Sequence, residues 1–153
     1  MIIIIEGPDG SGKSTLAQQI SKQTKYPVVH RSAPKTEEEK LKMMDMYRQA
    51  ISESKNIIFD RCWYSEMVYG PVMRDASYVS YPAMYDLEKA LAKVGAIIIY
   101  CTDNPKVLWK RCTTRGEDYI KDYDTFVSIC NGFDRLMSVP HLIPVLKYDY
   151  KDL

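Results

Sequence analysis

The sequence is poor in the side chains that hold transition metals. It contains two histidines, and its four cysteines, Cys62, Cys101, Cys112 and Cys130, show no C-x-x-C spacing. Structural zinc sites usually combine closely spaced cysteine pairs with histidines. The pattern therefore argues against a zinc site, and we expect the cysteines to be reduced thiols buried in the core.

The sequence also lacks an excess of charge of one sign and a long apolar run. Its 21 basic and 20 acidic residues leave a net charge of +1, so the chain as a whole has no general attraction for nucleic acid or a membrane surface. The apolar segment MIIIIEG has no basic residues before it and no cleavage-site pattern, and it is too short to span a bilayer. These absences predict a cytoplasmic protein that binds neither membranes nor nucleic acid.

What the sequence does contain is an alternation of apolar runs and helical segments. Its 153 residues suffice for one domain, so we expect a single domain over residues 1–153. Apolar runs rich in β-branched residues are typical of parallel strands covered on both faces. The alternation predicts an α/β fold, with a parallel sheet of about five strands and helices on both faces. The predicted strands are Ile2–Ile5, Pro27–His30, Asn56–Phe59, Ala96–Tyr100 and Leu142–Leu146, and the predicted helices are Lys13–Thr24, Thr36–Ser54, Ser65–Arg74 and on to Val94, Lys106–Thr114 and Ile120–Met137.

The segment between the first strand and the first helix matches the pattern G-x-x-x-x-G-K-[ST] at every fixed position. Glycines let such a loop bring backbone N–H groups against phosphate oxygens, and the following helix adds its positive N-terminal end. Lys13 can bridge the β- and γ-phosphates, and the Ser14 hydroxyl can bind Mg²⁺. The pattern therefore predicts a P-loop for Mg²⁺–ATP. The residues predicted to bind ATP are Gly7, Asp9, Gly10, Ser11, Gly12, Lys13, Ser14 and Thr15.

A second group of polar residues follows the third predicted strand, in the segment IIFDRCWYSEMVYG. Asp60 comes at the carboxyl end of that strand, where open α/β sheets bind ligands, so it can hold Mg²⁺ or, alternatively, cap the next helix. If a helix begins near Arg61, then Arg61, Ser65, Val68 and Tyr69 share one face. A guanidinium, a hydroxyl and an aromatic ring on one face suit a phosphate and a sugar.

These segments carry a resemblance to a known family. EGPDGSGKST followed by DRCWYSEMVYG resembles thymidylate kinase and its deoxynucleoside monophosphate kinase relatives; VVHRSAP and RCTTRGED resemble the family's second-strand exit and lid. The resemblance implies the P-loop kinase fold and transfer of the ATP γ-phosphoryl group to a deoxynucleoside monophosphate, with a thymidylate-like or modified pyrimidine base. Many members of the family form homodimers, so the resemblance also implies a homodimer here.

The resemblance assigns roles to the acceptor residues. It implies that Asp9 meets the sugar 3′-hydroxyl, that Arg61 holds the acceptor phosphate and that Asp60 serves magnesium. It further implies that Tyr69 packs at C2′ and so disfavours ribose, and that Arg31 lines the monophosphate pocket. The acceptor-binding residues expected on this basis and on the shared helix face are Asp9, Arg31, Arg61, Ser65 and Tyr69.

Two arginines near the predicted lid, residues 111–120, complete the expected machinery. Arg111 and Arg115 lie at positions i and i+4 of a predicted helix, where like charges repel unless an anion or an acidic side chain such as Asp103 lies between or near them. An arginine that neutralises a migrating phosphoryl group accelerates transfer by about 10³–10⁵-fold. We expect Lys13, Arg61, Arg111 and Arg115 to be the catalytic residues, with Gly116 as the hinge of the lid.

Some features depart from the family pattern. Cys62 replaces a tyrosine or phenylalanine, and Glu66 and Gly70 replace a small polar residue and a glutamine, so the base-contacting residues do not map directly. Tyr47 and Arg48 are candidates for contacting the base, with a plain surface helix as the alternative. Two other functions stay open at this point: phosphorylation of a hydroxyl group, on a deoxynucleoside or on DNA, and nucleotide binding without turnover.

Overall fold

In the computed structural model, which describes residues 1–30, 33–116 and 120–149, strands and helices alternate along the chain. The strands are β1 (Ile2–Glu6), β2 (Val28–His30), β3 (Ile57–Asp60), β4 (Ile97–Thr102) and β5 (Val145–Asp149). The helices are α1 (Lys13–Thr24), α2 (Glu37–Ser52), α3 (Trp63–Arg74), α4 (Tyr81–Lys93), α5 (Pro105–Thr114) and α6 (Tyr123–Ser138).

The five strands form one parallel sheet in the order β2-β3-β1-β4-β5. β1 lies at its centre, with Ile3 in register with Ile58 of β3 on one side and Ile97 of β4 on the other. Connections between parallel strands must cross over a face of the sheet, which the intervening helices do. The predicted parallel α/β sheet is thus confirmed.

The two faces of the sheet are covered unequally. Ile3 and Ile5 of β1 pack with Leu16 and Ala17 of α1, in the smaller of two apolar clusters. Ile2 and Ile4 point to the opposite face, as the alternation of a strand requires, and join a larger cluster to which α2 to α6 all contribute. The predicted layers of helices on both faces are therefore present, and most of the core lies on one side. All four cysteines are buried and free, as expected.

Three boundaries differ clearly from the sequence prediction; one of them is the start of α6, which lies at Tyr123 instead of Ile120. The helical segment predicted to run from Ser65 on to Val94 is two helices, because Asp75 adopts a left-handed conformation at the end of α3 and the Ser80 hydroxyl caps α4. The fifth strand begins three residues later than predicted, at Val145. Of residues 142–144, Ile143 is buried in the core, whereas Leu142 and Pro144 are exposed.

No helix within the described residues combines the length and the apolar character needed to cross a membrane.

Candidate active site

The loop between β1 and α1 approaches other backbone segments so closely that glycine is needed. Gly7 has φ +151°, and a Cβ on it would lie 2.1 Å from the carbonyl oxygen of Cys101 on β4. Gly10 has φ +78°, and its Cβ would lie 2.9 Å from the carbonyl oxygen of Leu108 on α5. Residues 7–12 therefore form a tight turn whose conformation and surroundings exclude larger side chains.

Lys13 opens α1, and its ammonium group folds back over the loop. Its Nζ donates a hydrogen bond to the Pro8 carbonyl oxygen at 2.8 Å, and the Ser11 hydroxyl donates to the same oxygen at 2.7 Å. Burial, and next the positive charge of Arg61, lower the pKa of Lys13 from 10.5 to about 8. A buried ammonium beside another cation is stabilised by an anion, so this position suits phosphate oxygens.

Ser14 and Asp60 meet where β3 ends beside α1. The Ser14 hydroxyl donates to Asp60 Oδ2 at 2.7 Å, and His30 Nδ1 lies 3.2 Å from the same oxygen. Among the described residues, no donor reaches the buried Oδ1 of Asp60. A hydroxyl beside a carboxylate with an unused, buried oxygen fits the hard oxygen ligands that Mg²⁺ prefers. His30 is thus a strand-end contact of Asp60.

Arg61 connects the phosphate loop with α3. Its Nη1 donates to the Gly7 carbonyl oxygen at 3.2 Å and to Ser65 Oγ at 3.0 Å, and its Nη2 donates to Asp9 Oδ1 at 2.5 Å and to the Tyr69 hydroxyl at 3.4 Å. Burial alone would lower the pKa of Arg61, but Tyr69 and Asp9 beside it raise the pKa above its ordinary value. The guanidinium is therefore a permanent positive charge at the meeting point of loop and helix.

The prediction that Arg61, Ser65 and Tyr69 converge is right, although the reason given for it is wrong. Arg61 is not part of the helix: α3 begins at Trp63, and Arg61 has φ +73°, a left-handed conformation that is uncommon for a large residue. The backbone turn before α3 directs its side chain along the helix. Val68, expected on the same face, is instead buried in the core.

Glu6 is a member of this site that the sequence analysis missed. Its Oε1 accepts hydrogen bonds from the backbone N–H groups of Cys62 at 2.7 Å and Ser65 at 3.1 Å, and its Oε2 accepts from the Ser65 hydroxyl at 2.5 Å. α3 has no capping side chain of its own at Cys62. Burial raises the pKa of Glu6, and the Arg61 charge and the Ser65 hydroxyl oppose that rise. A carboxyl at the end of an apolar strand was the available signal, but sequence does not show which helix it caps.

A cavity of about 670 Å³ opens beside Arg61. Asp9, Arg61, Ser65 and Tyr69 all line it, together with apolar side chains from α2 and α5. Of the two candidates for contacting a base, Tyr47 lines the cavity and packs edge-on against Trp63. Arg48 does not line it.

Arg48 instead forms an exposed ion pair with Asp45, so the surface-helix alternative is correct for this residue. Arg31 lies outside the described residues.

The two lid arginines occupy different positions. Arg111 on α5 donates to the Gly10 carbonyl oxygen at 3.1 Å and to Asp103 Oδ2 at 3.2 Å, so it contacts the phosphate loop and has the acidic partner considered above. Arg115 directly follows α5 and lines a shallow depression beside Arg111. Gly116 has φ +75°. Residues 117–119 of the expected lid lie outside the described part of the chain.

Comparison with known proteins yields a family model, a curated relative and solved structures. The model described as "ATPase family associated with various cellular activities (AAA)" matches residues 3–60, which include β1, the phosphate loop and β3. The SPbeta prophage-derived uncharacterized protein YorR of Bacillus subtilis (strain 168) is 32% identical over 130 residues, covering 84% of this chain and 78% of YorR.

Two solved structures are similar over nearly the whole chain. The crystal structure of the B. subtilis YorR protein in complex with phosphorylated GDP has a TM-score of 0.80 at 30% identity, covering 97% of this chain and 85% of that one. Deoxyadenosine kinase from M. mycoides, with products dCMP and dCDP bound, has a TM-score of 0.64 at 20% identity, covering 99% and 90%. The fold is thus that of P-loop NTPases, with a deoxynucleoside kinase among its structural neighbours.

Proposed function

Since the chain belongs to the same family as YorR, we propose that it is an ATP-dependent kinase that phosphorylates a deoxynucleoside monophosphate to the diphosphate. One observation carries the proposal: the Arg61 guanidinium contacts the phosphate loop and also lines the adjoining cavity. A cation at that junction neutralises both the donor and the acceptor phosphate. The ligand of the YorR structure, phosphorylated GDP, supports a phosphorylated nucleotide as the occupant.

ATP is the proposed phosphoryl donor, and it binds at the glycine loop. Lys13, buried and favoured by an adjacent anion, neutralises the β- and γ-phosphates. Mg²⁺, held by Ser14 and Asp60, would supply charge neutralisation between the phosphates. The proposed ATP-binding residues are Gly7, Asp9, Gly10, Ser11, Gly12, Lys13, Ser14 and Thr15.

The acceptor occupies the cavity in this proposal. Arg61 holds its phosphate, Ser65 and Asp9 keep the guanidinium in place, and the Tyr69 ring packs against the sugar. Arg31 completes the acceptor-binding set. Because the acceptor phosphate is already an anionic nucleophile, the reaction needs alignment and charge neutralisation more than a general base.

Arg111 is the proposed source of positive charge for the transferred phosphoryl group. Its contact with the Gly10 carbonyl places it beside the loop that binds the donor, and the expected closure of residues 111–120 would bring Arg115 to the same group. With Lys13 and Arg61, these two arginines form the proposed catalytic set, within a single kinase domain over residues 1–153.

The interactions of the carboxylates near the loop argue against a hydroxyl acceptor, because such an acceptor would need a general base. Asp9 is paired with Arg61, and Asp60 accepts from Ser14 and contacts His30. Glu6 is buried under α3 and accepts three hydrogen bonds there. Asp9 and Glu6 are thus engaged by hydrogen bonds, and the remaining oxygen of Asp60 is assigned to Mg²⁺ in this proposal, which favours a phosphate acceptor.

Product analysis tests the proposal. The protein is incubated with Mg²⁺–ATP and, separately, the four common deoxynucleoside monophosphates, their ribose counterparts, the free deoxynucleosides and a single-stranded DNA oligomer. We expect ADP and a deoxynucleoside diphosphate, with little diphosphate from the ribose counterpart. Lys13→Met, which removes the ammonium, is the inactive control. Phosphorylation of only the free deoxynucleosides or the oligomer would overturn the proposal.

A further inference from the structure

An acid–base pair stands on the wall of the cavity, apart from the groups assigned to phosphate binding. Glu66 and Arg74, both on α3 and both lining the cavity, form an ion pair through Glu66 Oε1 and Arg74 Nη2. The Glu66 side chain is only 10% exposed and that of Arg74 is 35% exposed. A nearly buried carboxylate facing a cavity is costly to leave without partners, so its second oxygen is informative.

The hydrogen bonds of Glu66 are unevenly distributed. Oε1 accepts from Arg74 and, at 3.3 Å, from the backbone N–H of Tyr78. In the described part of the chain, no donor reaches Oε2. The carboxylate therefore has acceptor capacity left for a ligand, and Arg74 has further N–H groups in its planar fork.

The glycine at position 70 fits this arrangement. A Cβ there would lie 2.9 Å from Glu66 Oε1 and 2.4 Å from the carbonyl oxygen of Ala76. Glycine thus leaves room for the carboxylate and for the segment that folds over it after α3. The two departures from the thymidylate kinase pattern on this helix, Glu66 and Gly70, therefore belong to one local structure.

The position of the pair relative to Arg61 suits the far end of a nucleotide. Arg61 precedes α3 and reaches Ser65 in its first turn. Glu66 also belongs to the first turn, but its carboxylate extends along the helix to Gly70, where Arg74 from the last turn meets it. Because residues from both ends of α3 line the cavity, the cavity runs along the helix. A nucleotide with its phosphate at Arg61, as in the proposed function on which this step rests, extends its base towards Glu66 and Arg74.

The chemistry of the pair discriminates between bases. A carboxylate only accepts hydrogen bonds and a guanidinium only donates them. Guanine presents an acceptor, O6, beside two adjacent donors, N1–H and N2–H₂. Adenine and cytosine place a ring-nitrogen acceptor where the carboxylate needs a donor, and thymine flanks its N3–H with two carbonyl oxygens. We propose that Glu66 and Arg74 select guanine, so that the preferred acceptor is a deoxyguanosine monophosphate.

Comparison of guanine with hypoxanthine gives the sharpest test, because hypoxanthine lacks only the N2 amino group. We expect kcat/KM for dGMP to exceed that for dIMP by roughly 10-fold and those for dTMP, dAMP and dCMP by about 100-fold, the scale of one well-placed hydrogen-bonding pair. This comparison uses the wild-type protein and needs no variant. Equal use of dTMP or dAMP would overturn guanine selection while leaving the kinase proposal intact.

Variants then assign the selection to Glu66. In Glu66→Gln one carboxylate oxygen becomes an NH₂ donor, so the side chain can no longer accept from both Arg74 and guanine, and the dGMP-to-dIMP preference should fall to near one. Asp45→Asn removes the same charge from the exposed pair with Arg48 and should leave the preference unchanged. An unaltered preference in a folded Glu66→Gln variant would overturn the assignment.

Equilibrium binding of the same nucleotides, measured by calorimetry, separates the two proposals. If no monophosphate is phosphorylated, the kinase proposal fails, yet tighter binding of dGMP than of dIMP and the other bases would still support guanine selection. Binding without base preference would overturn it.

Discussion

At the scale of single residues, Arg61 combines a strained backbone with a proposed role in binding the acceptor phosphate. Its φ of +73° lies in the left-handed region, and four hydrogen bonds from its guanidinium accompany that conformation. Non-glycine residues pay about 1–2 kcal/mol to adopt it. Such strain is retained where the orientation of the side chain matters.

Replacement of Arg61 by alanine and by glycine separates these two effects. Both variants lose the guanidinium, so we expect each to lower kcat/KM for the acceptor on the order of 10²–10³-fold, as removal of a preorganised donor does. Arg61→Gly relieves the backbone strain and should unfold with a free energy about 1–2 kcal/mol above that of Arg61→Ala. Urea denaturation measures the difference, and equal stability would show that the conformation is not strained.

Residue spacing was enough to group part of the candidate site but not all of it. The spacing of Arg61, Ser65 and Tyr69 predicted their convergence, even though α3 begins two residues after Arg61. Glu6 was missed because its partners lie 56 and 59 residues away in the chain. Local patterns identify strands, loops and helices, whereas contacts between distant elements depend on how these pack.

At the scale of elements, α3 is held at its first turn by a side chain from β1. The carboxylate of Glu6 accepts hydrogen bonds from the backbone N–H groups of Cys62 and Ser65 at the start of the helix, and the Ser65 N–H also reaches the Cys62 carbonyl oxygen at 3.2 Å. Because Ser65 in turn contacts Arg61, Glu6 is a positioning residue for the proposed acceptor site.

Substitutions of Glu6 should rank by how well they replace this cap. Glu6→Ala removes the acceptor of the buried Cys62 N–H, at about 1–3 kcal/mol, whereas Glu6→Gln keeps an acceptor oxygen. Denaturant unfolding should therefore place Glu6→Gln between the wild type and Glu6→Ala. In folded protein, KM for the acceptor should rise more than KM for ATP, and it should rise less in the glutamine variant. If Glu6 had a purely structural role, KM for the acceptor and KM for ATP would change by similar factors.

The ends of a helix or strand were predictable where a single sequence signal determines them. α1 runs from Lys13 to Thr24 as predicted, because the glycine loop fixes its start and no competing signal lies within it. β5 was misplaced because Leu142 and Ile143 extend its apolar run without joining the sheet: Ile143 packs in the core, and the exposed Leu142 donates its backbone N–H to Glu88. Apolar runs report burial, and burial alone does not distinguish a strand from a loop packed on the core.

At the scale of the whole molecule, a second buried polar cluster joins α3, α4 and the segment before β5. Glu88 accepts from the Tyr64 hydroxyl at 2.6 Å and the Leu142 N–H at 2.8 Å, and it lies 2.7 Å from His141 Nδ1. His141 Nε2 lies 2.8 Å from the Leu136 carbonyl oxygen. Since both ring nitrogens face acceptors, both carry protons, and His141 is a cation paired with Glu88.

This pair makes the stability of the fold depend on pH. Burial lowers the pKa of His141, but hydrogen bonds to Glu88 and Leu136 raise it overall above 6.5, so its contribution is complete below pH 6.5 and is lost as pH rises through the raised pKa. Burial raises the pKa of Glu88, but its bonds to His141 and Tyr64 lower it overall below 4.5. The contribution of Glu88 is complete above pH 4.5 and is lost as pH falls through the lowered pKa.

The variant His141→Asn should therefore be destabilised most between these limits. At pH 5.5 we expect a loss of about 3 kcal/mol, because a buried carboxylate loses its cationic partner. The loss should shrink in alkaline solution, once the wild-type imidazolium has been deprotonated. Urea unfolding at several pH values measures it. As a control, in a Glu88→Gln background the loss of unfolding free energy caused by His141→Asn should be nearly independent of pH. A pH-independent loss in the His141→Asn single variant would contradict the ion pair.

The central position of β1 has a consequence for biosynthesis. Its neighbour β3 begins 51 residues after Glu6, and its other neighbour, β4, begins 91 residues after it. At translation rates of ~5–20 residues per second, the isoleucine tract waits roughly 5–20 s for its second neighbour. An uncharged β-branched tract without partners is prone to pair with other chains. We therefore expect the tract to stay open to such pairing until β4, which ends at Thr102, has been synthesised.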